Sequence, residues 1–266
     1  METSIFKYGE LPEFKKFTPE SISKQFPDVL EKIGNDFKNI EKNLSKYLIQ
    51  NDLTWDKVIN PLNEVNEVLR WSWGVISHLN AVNNSESIRD IYSKFLPEII
   101  SLSNRFGQSK IIYNSLVKLK ETNKFDQIKN RILDKEILEM QHRGISLQKN
   151  DQKDFNKIAE KLGKLSTDFS NNVLDATNNW FLILNKKTEV DGLPERVLEL
   201  MAISAHNHLK KDGEVNAING PWKLSLDIPT YTAYMTYATD RKLREKLYKS
   251  FVSRASHGEK NNSQII

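Results

Sequence analysis

The sequence predicts a mainly α-helical protein with one small β element near residues 181–228. Breakers are few, with 10 glycines and 8 prolines in 266 residues. Apolar residues recur at steps of three and four over most of the chain, which is the spacing of one helix face. Serine, threonine or aspartate precedes most of these periodic segments, as helix N-caps do. Together these observations favour a multi-helix body over a sandwich or a barrel.

The charge pattern and the residue types exclude several classes of function. The chain carries 39 basic and 35 acidic residues, a net charge of +4, and no cysteine. The two signs are interspersed, so we expect no nucleic-acid partner, which normally requires a concentrated basic surface. Without cysteine there is no disulfide, thiolate zinc site or cysteine nucleophile. No apolar run approaches the roughly 18 residues that span a bilayer, so we expect no membrane partner and a cytoplasmic location.

The first half of the chain is predicted to form five helices. The first begins at Thr18-Pro19-Glu20, which offers an N-cap, a first-turn proline and an early carboxylate, and its apolar face runs to about residue 50. Thr54 caps a second helix, with a possible bend at Pro61, and Ser85 caps a third over about 86–104, with Pro97 inside. Further helices are predicted over about 110–120 and 125–143. Short connections between them indicate antiparallel packing.

The most regular helix is predicted from Asn150 or Asp151 to about residue 180. Its apolar positions follow steps of three and four: Phe155, Ile158, Leu162, Leu165, Phe169, Val173 and Ala176. Residues 181–184 form a short apolar run that is typical of a strand, and residues 222–228 alternate with a two-residue period. We therefore expect these two segments to pair in a small sheet.

Three more helices complete the predicted elements. One covers 194–209, with Pro194 at its first position and an end near Gly213; the next covers 231–238; the last follows an Asp240 cap. Residues 257–262 are predicted to be a loop. Ser263 is predicted to cap a helix that begins at Gln264, so we expect a helix that continues beyond the sequence.

The sequence shows no internal repeat and no linker that separates independent domains. We expect residues 1–266 to form one N-terminal helical region, with a helical bundle over about 18–180 and small strands plus helices over 181–256.

Residues 165–180, LSTDFSNNVLDATNNW, carry a resemblance that goes beyond periodicity. Other segments support it in the expected order: 54–55, 71–82, 229–231, 235–237 and 241–256. From about residue 17 to the end, the chain resembles the N-terminal part of the thimet-type zinc oligopeptidases, the bacterial members above all. The resemblance implies a two-lobed metalloendopeptidase divided by a channel, with short peptides as substrates and this region as one channel wall.

The resemblance also implies where the chemistry lies. Members of the family bind zinc through two histidines of a His-Glu-x-x-His helix and a later glutamate, and zinc lowers the pKa of its bound water to near 7. No such motif occurs in this chain. We therefore predict no catalytic, cofactor-binding or metal-binding residue here, zinc only in the full-length enzyme, and a missing C-terminal catalytic half after residue 266. The present residues alone should be inactive.

No two of the five histidines are four residues apart, as a zinc-binding helix would need: His78, His142, His206, His208 and His257. For His206 and His208 we favour surface cations near a helix C-terminus over metal ligands. His78 could line the channel as a hydrogen-bonding group, but we favour a core histidine that donates to a carbonyl.

Several polar residues of the signature could be functional or structural: Asn171, Asn172, Asp175, Asn178 and Asn179. They could face the channel, but we favour capping or cross-linking bonds. Asp175 and Asp227 lack a nearby carboxylate partner in sequence, which argues against acid/base catalysis.

We expect the tryptophans to pack the core: Trp55, Trp71, Trp73 and Trp180. The alternative to an enzyme part is a non-catalytic helical module that binds peptides or a partner protein.

Overall fold

The computed structural model describes residues 4–210 and 216–266. It divides into two compact units, Met1–Lys164 (unit 1) and Leu165–Ile266 (unit 2). Most described residues are helical, which confirms the predicted fold class. Within the described ranges, no helix is both long enough and apolar enough to cross a membrane.

Unit 1 is built from helices joined by short connections, as predicted. In chain order they are α1 (Pro19–Gln50), α2 (Trp55–Val82), α3 (Glu86–Gly107), α4 (Lys110–Thr122), α5 (Gln127–His142) and the first part of α6 (Lys149–Asn179).

Side-chain caps fix where these helices begin. The Thr18 hydroxyl accepts from the Ser21 N–H at 3.2 Å, and the Ser21 hydroxyl accepts from the Thr18 N–H at 3.0 Å. This reciprocal capping box satisfies two donors that α1 cannot satisfy internally. Ser85 caps α3 in the predicted way, with its hydroxyl 3.3 Å from the Ile88 nitrogen.

The start of α2 differs from the prediction in one bond. Thr54 occupies the N-cap position, but its side chain makes no capping hydrogen bond. Its carbonyl oxygen instead accepts from the N–H of Val58 at 3.1 Å and closes the first turn. The start of α5 also shifts to Gln127, because Asp126 takes the N-cap and accepts from the Lys129 N–H at 2.8 Å.

The core of unit 1 is centred on the apolar face of α1. Its residues at successive turns are buried: Ile22, Phe26, Leu30, Ile33, Phe37, Ile40 and Leu44. Around Phe26, the ring of Phe95 packs edge-on at 5.0 Å and that of Trp73 stacks at 6.1 Å. Trp55 and Trp71 are also partly buried against this core, which confirms their predicted packing role.

Unit 2 contains the predicted sheet. Strands β1 (Phe181–Leu184) and β2 (Trp222–Ser225) pair antiparallel, with Phe181 opposite Ser225 and Leu184 opposite Trp222. Helices α7 (Glu195–Leu209), α8 (Ile228–Tyr237) and α9 (Arg241–Val252) complete it.

Unit 2 corrects several predicted boundaries. β2 ends before Asp227, because that side chain accepts from the Thr230 N–H at 3.0 Å and begins α8 three residues earlier than predicted. Pro194 lies at the N-cap of α7, one position before the predicted one. Lys210, in a left-handed conformation, ends this helix, and Gly213 lies outside the described residues.

The core of unit 2 surrounds β2 and α8. Trp222 and Tyr234 are both fully buried, and each places its polar tip on a backbone carbonyl. Trp222 Nε1 donates to the Ala217 oxygen at 2.8 Å, and the Tyr234 hydroxyl donates to the Glu189 oxygen at 2.6 Å. Burial raises the pKa of the Tyr234 phenol, so it remains a donor. Trp180 packs partly buried against this core, as predicted.

The last segment forms two 3-10 turns, Gly258–Lys260 and Asn262–Gln264. The first of them lies within the predicted loop. The predicted helix at Gln264 is wrong within this structure, since Gln264 ends a turn. Its cap is Asn261, whose side-chain oxygen accepts from the Ser263 N–H at 2.9 Å.

Truncation of Phe26 tests the core of unit 1. Phe26→Ala should lower the free energy of unfolding by about 3–5 kcal/mol, because a fully buried ring leaves a cavity behind. Phe14→Ala is the control, since Phe14 is 45% exposed, and it should change stability by about 0.5 kcal/mol or less. Urea unfolding followed by far-UV circular dichroism measures both. Equal losses in the two variants would contradict the proposed core.

Gly192 tests a turn of unit 2. It has a φ of +84°, and a Cβ there would collide with the carbonyl oxygen of Tyr237. Gly192→Ala should therefore lower the stability of the chain by about 1–3 kcal/mol. Gly34→Ala is the control, because Gly34 lies within α1 with open space around its Cβ position. That variant should be slightly stabilised, and a thermal melt that ranks the two in the opposite order would refute this account.

Candidate functional site

The histidines do not assemble a metal site. Among residues 4–210 and 216–266, no three histidine, cysteine, aspartate or glutamate side chains lie close enough together to hold a metal ion. The zinc ion that the resemblance implies therefore has no fitting ligand set in the described chain. His206 and His208 lie in the last turn of α7, the helix end at which they were predicted, but His206 is half-buried there rather than on the surface. The exposed ring of His208 packs edge-on against Phe181 at 4.2 Å.

His78 differs from the favoured prediction. Its side chain is exposed rather than in the core, with its ring 5.4 Å from that of Phe14. Ile76 and Leu79 of the same helix are buried. His78 follows Ile76 by two positions, which places it about 200° around the helix from that buried residue. The helical spacing of apolar residues around Ile76 was the signal in the sequence that would have identified the exposure of His78.

Two of the predicted signature residues, Asn172 and Asp175, make structural contacts within unit 2. Asn172 Nδ2 donates to Asn262 Oδ1 at 2.8 Å, and Asn262 Nδ2 donates to the Phe169 carbonyl at 3.1 Å. Lys260 Nζ lies 2.9 Å from Asp175 Oδ2. These contacts join the last part of α6 to the two final 3-10 turns. They confirm the cross-linking role predicted for Asn172, and they occupy the carboxylate of Asp175.

Asn262 is the residue that sequence reasoning missed. It is 97% buried, at 3% exposure, and bonds to α6 through both side-chain atoms. A buried amide is stable only when its donors and acceptors are satisfied, so its position depends on Asn172. The two residues are 90 positions apart, and no local pattern relates them.

The motifs over 229–256 build a stack of aromatic rings and a cation. The rings of Tyr231 in α8 and Phe251 in α9 stack at 3.9 Å, and the Arg254 guanidinium lies 3.6 Å from the Phe251 ring centre. The Nε atom of Arg254 is buried without a hydrogen-bond partner among the described residues. The ring face therefore supplies an electrostatic contact for this cation.

Asp227 is committed to capping. Its carboxylate accepts from the Ser225 hydroxyl and from the Thr230 N–H. Burial alone would raise the pKa of this carboxyl, but these hydrogen bonds to the charged form prevail and lower it. A carboxylate held ionised by its cap bonds is a poor general acid, which agrees with the sequence argument against catalysis.

Unit 1 contains a cavity of about 140 Å³ between helices α1 to α5. Apolar side chains line most of it, and polar side chains reach it from α2, from α3 and from the C-terminal part of α5 with the residue that follows: Asn63, Asn66, Ser103, Glu136, Glu139 and Arg143. Cavities of this size accommodate a single aromatic ring. Burial raises the pKa of Glu136, the charge of Glu139 raises it further, and Lys135 and Arg143 oppose both effects.

The raised pKa of Glu136 predicts a pH-dependent gain in stability for Glu136→Gln. A carboxyl with a raised folded-state pKa costs stability when ionised, and the cost disappears once the pH falls below the unfolded-state pKa of about 4.3. The variant should therefore be more stable than the parent at about pH 7 and equal to it at about pH 4. Urea unfolding at both pH values measures this, with the exposed Glu160→Gln as control. A gain that persists unchanged at the lower pH would exclude the electrostatic explanation.

Comparison with known proteins shows which family this chain resembles. The profile of the N-terminal domain of neurolysin and thimet oligopeptidase matches residues 26–152, which run from α1 into α6. The probable cytosolic oligopeptidase A of Arabidopsis thaliana is 33% identical over 97% of this chain, which covers 36% of that protein. The organellar (chloroplastic/mitochondrial) oligopeptidase A of the same plant is also 33% identical, over 97% of this chain and 32% of its own length.

A bacterial relative gives the same result. Oligopeptidase A of Haemophilus influenzae is 32% identical over 100% of this chain, which covers 38% of that protein. The chain thus spans about a third of the length of the curated relatives that it matches. The resemblance predicted from the signature residues is confirmed: residues 26–152 match the N-terminal domain of neurolysin and thimet oligopeptidase, and oligopeptidase A sequences align with nearly the whole chain.

Proposed function

We propose that this chain is the N-terminal, channel-wall part of a zinc metallo-oligopeptidase that hydrolyses short peptides in the cytoplasm. The observation that carries the proposal is the similarity to oligopeptidase A over 97–100% of this chain, which covers only 36–38% of the same relatives. A segment that aligns along its whole length with a family of peptidases is expected to do the same work within a longer protein.

The described residues support a division of labour within that protein. No ligand set for zinc is present among them, and Asp175 and Asp227 are already engaged in structural bonds. Zinc, when bound, would lower the pKa of a water molecule and polarise the peptide carbonyl. We therefore place its ligands and the water-activating glutamate in the remaining part of the protein. The helices of this chain would limit the size of the peptides that reach them.

A non-catalytic binding module is the alternative, and one observation favours it. The cavity of about 140 Å³ in unit 1 has mostly apolar walls and several polar groups, which is the composition of many small-ligand sites. The coding sequence after Ile266 separates the two functions. A continuation that encodes His-Glu-x-x-His supports the peptidase, whereas a stop codon supports the module.

The cytoplasmic location is the part of the proposal that the relatives support least. One relative is named as cytosolic and another, equally similar at 33% identity, as organellar. Cell fractionation with an antibody against this chain tests the cytoplasmic assignment. Recovery in an organelle fraction would replace it without affecting the proposed reaction.

Peptide hydrolysis and zinc content test the division of labour. The purified 266-residue protein should leave a quenched fluorescent peptide intact and should retain no stoichiometric zinc after dialysis, because its described residues provide no ligand set. The protein expressed from the complete reading frame should cleave the peptide, lose activity with a chelator and regain it with zinc.

The control substrate for the complete enzyme is a folded protein whose net charge is similar to that of the fluorescent peptide. It should remain uncut because a channel admits only short peptides. Hydrolysis by the 266-residue protein together with one bound zinc per chain would disprove the division of labour. Inactivity of the complete protein would disprove the peptidase function itself.

A further inference from the structure

Helix α6 presents large aliphatic side chains to solvent in unit 1. Ile158 is 66% exposed and Leu162 is 63% exposed. None of the residues of α6, all of which the structure describes, is buried. This helix nevertheless has the most regular apolar periodicity in the sequence, and such a face normally lies against a core. The way α6 packs within unit 1 explains why its apolar residues are exposed despite this periodicity.

In unit 1, α6 packs through another side. A Cβ at Gly163 would collide with Ile100 of α3, so the two helices approach closely at that glycine. Asn156 and Gln108 exchange two side-chain hydrogen bonds of 2.8 and 3.2 Å. At 3.6 residues per turn, the side defined by Asn156 and Gly163 lies about 130° from the one that carries Ile158 and Leu162. The packed side therefore does not cover the two aliphatic residues.

Ile158 and Leu162 are four residues apart, so they form one continuous patch on the helix. We call these two residues the α6 patch. Single exposed aliphatic residues are common on protein surfaces. Two large aliphatic residues on adjacent turns of one helix face form a contiguous apolar surface, which is typical of a place that another part of a protein covers.

The length of the relatives indicates what covers this patch. This chain accounts for 36% of the cytosolic and 38% of the Haemophilus oligopeptidase A. More than half of such a protein thus lies outside this structure. We propose that the α6 patch docks against the downstream part of the same polypeptide, which under the proposed function also carries the catalytic centre. This inference rests on the proposed function and names residues of its internal interface.

The chemistry of the helix specifies the covering surface. The α6 patch requires aliphatic or aromatic side chains opposite it, since a polar group there would lose its hydration without a partner. Exposed charges of both signs flank the patch, since Asp154 lies about 40° and Lys161 about 60° from Ile158 around the helix. Polar or charged side chains on the partner segment would therefore fit at the rim, where pairing remains partly hydrated.

Thiol labelling tests this docking directly, because the chain contains no cysteine of its own. Ile158→Cys is introduced into the 266-residue protein and into the protein from the complete reading frame. Maleimide modification of the peptide that contains residue 158 is followed by mass spectrometry, so thiols elsewhere do not interfere. The matched control is Ile128→Cys in α5, where the parent residue is 73% exposed. Circular dichroism melts verify that each variant folds like its parent.

We expect residue 158 to be modified at least about tenfold more slowly in the complete protein than in the 266-residue protein, as a docked position reacts only when it opens. Residue 128 should react at similar rates in both. Equal rates at residue 158 would overturn the proposal. So would protection that rises with the concentration of the 266-residue protein, which would identify a second copy, or protection that requires an added peptide.

The labelling result does not depend on catalysis, so the two proposals can fail separately. Protection of residue 158 in a complete protein that lacks peptidase activity would sink the proposed function and leave the docking intact. An active complete protein in which residue 158 reacts freely would support the proposed function and overturn the docking. A stop codon after Ile266 would refute both.

Discussion

The burial of one face of α1 is the constraint on which unit 1 depends. Seven residues of this helix, from Ile22 to Leu44, are buried, and each such side chain contributes about 1.5–3 kcal/mol when it leaves water. Helices α2, α3 and α4 all contact α1. The cavity exists because these helices and α5 meet around Phe37 without filling the space beside it. Burial in that packing raises the pKa of Glu136, one of the polar residues that line the cavity.

Local chemistry explains why so much of the fold was predictable. Thr18, Ser85 and Asp240 each cap the helix that follows, as their positions in the sequence indicated. The two strands were recognisable because residues 181–184 are uniformly apolar and residues 222–225 alternate, and they do pair. Errors at helix ends arose where a neighbouring side chain competed for the same role, as when Asp227 ended β2 early by capping α8.

Contacts between distant residues account for what the sequence could not predict. The bond between Asn172 and Asn262 joins positions with no shared local pattern, and the raised pKa of Glu136 depends on burial against helices earlier in the chain. The exposure of His78, by contrast, does not depend on distant contacts and could have been predicted from the sequence. The helical phase of its neighbours contained that information, but a cluster of tryptophans around it favoured a core position.

Polar residues of α6 find bonding partners in this structure, whereas two of its large apolar residues are not buried. In unit 2, Asn172 and Asp175 have partners in the final 3-10 turns, so the polar groups of these two residues are used locally. In unit 1, Ile158 and Leu162 gain little burial although their spacing is that of a core-facing row. A sequence under selection for solubility alone would place polar residues at those two positions, because polar side chains there would lose no packing. Their aliphatic character is what the docking that we propose would require, and the α6 patch and most of the signature residues lie on one continuous helix.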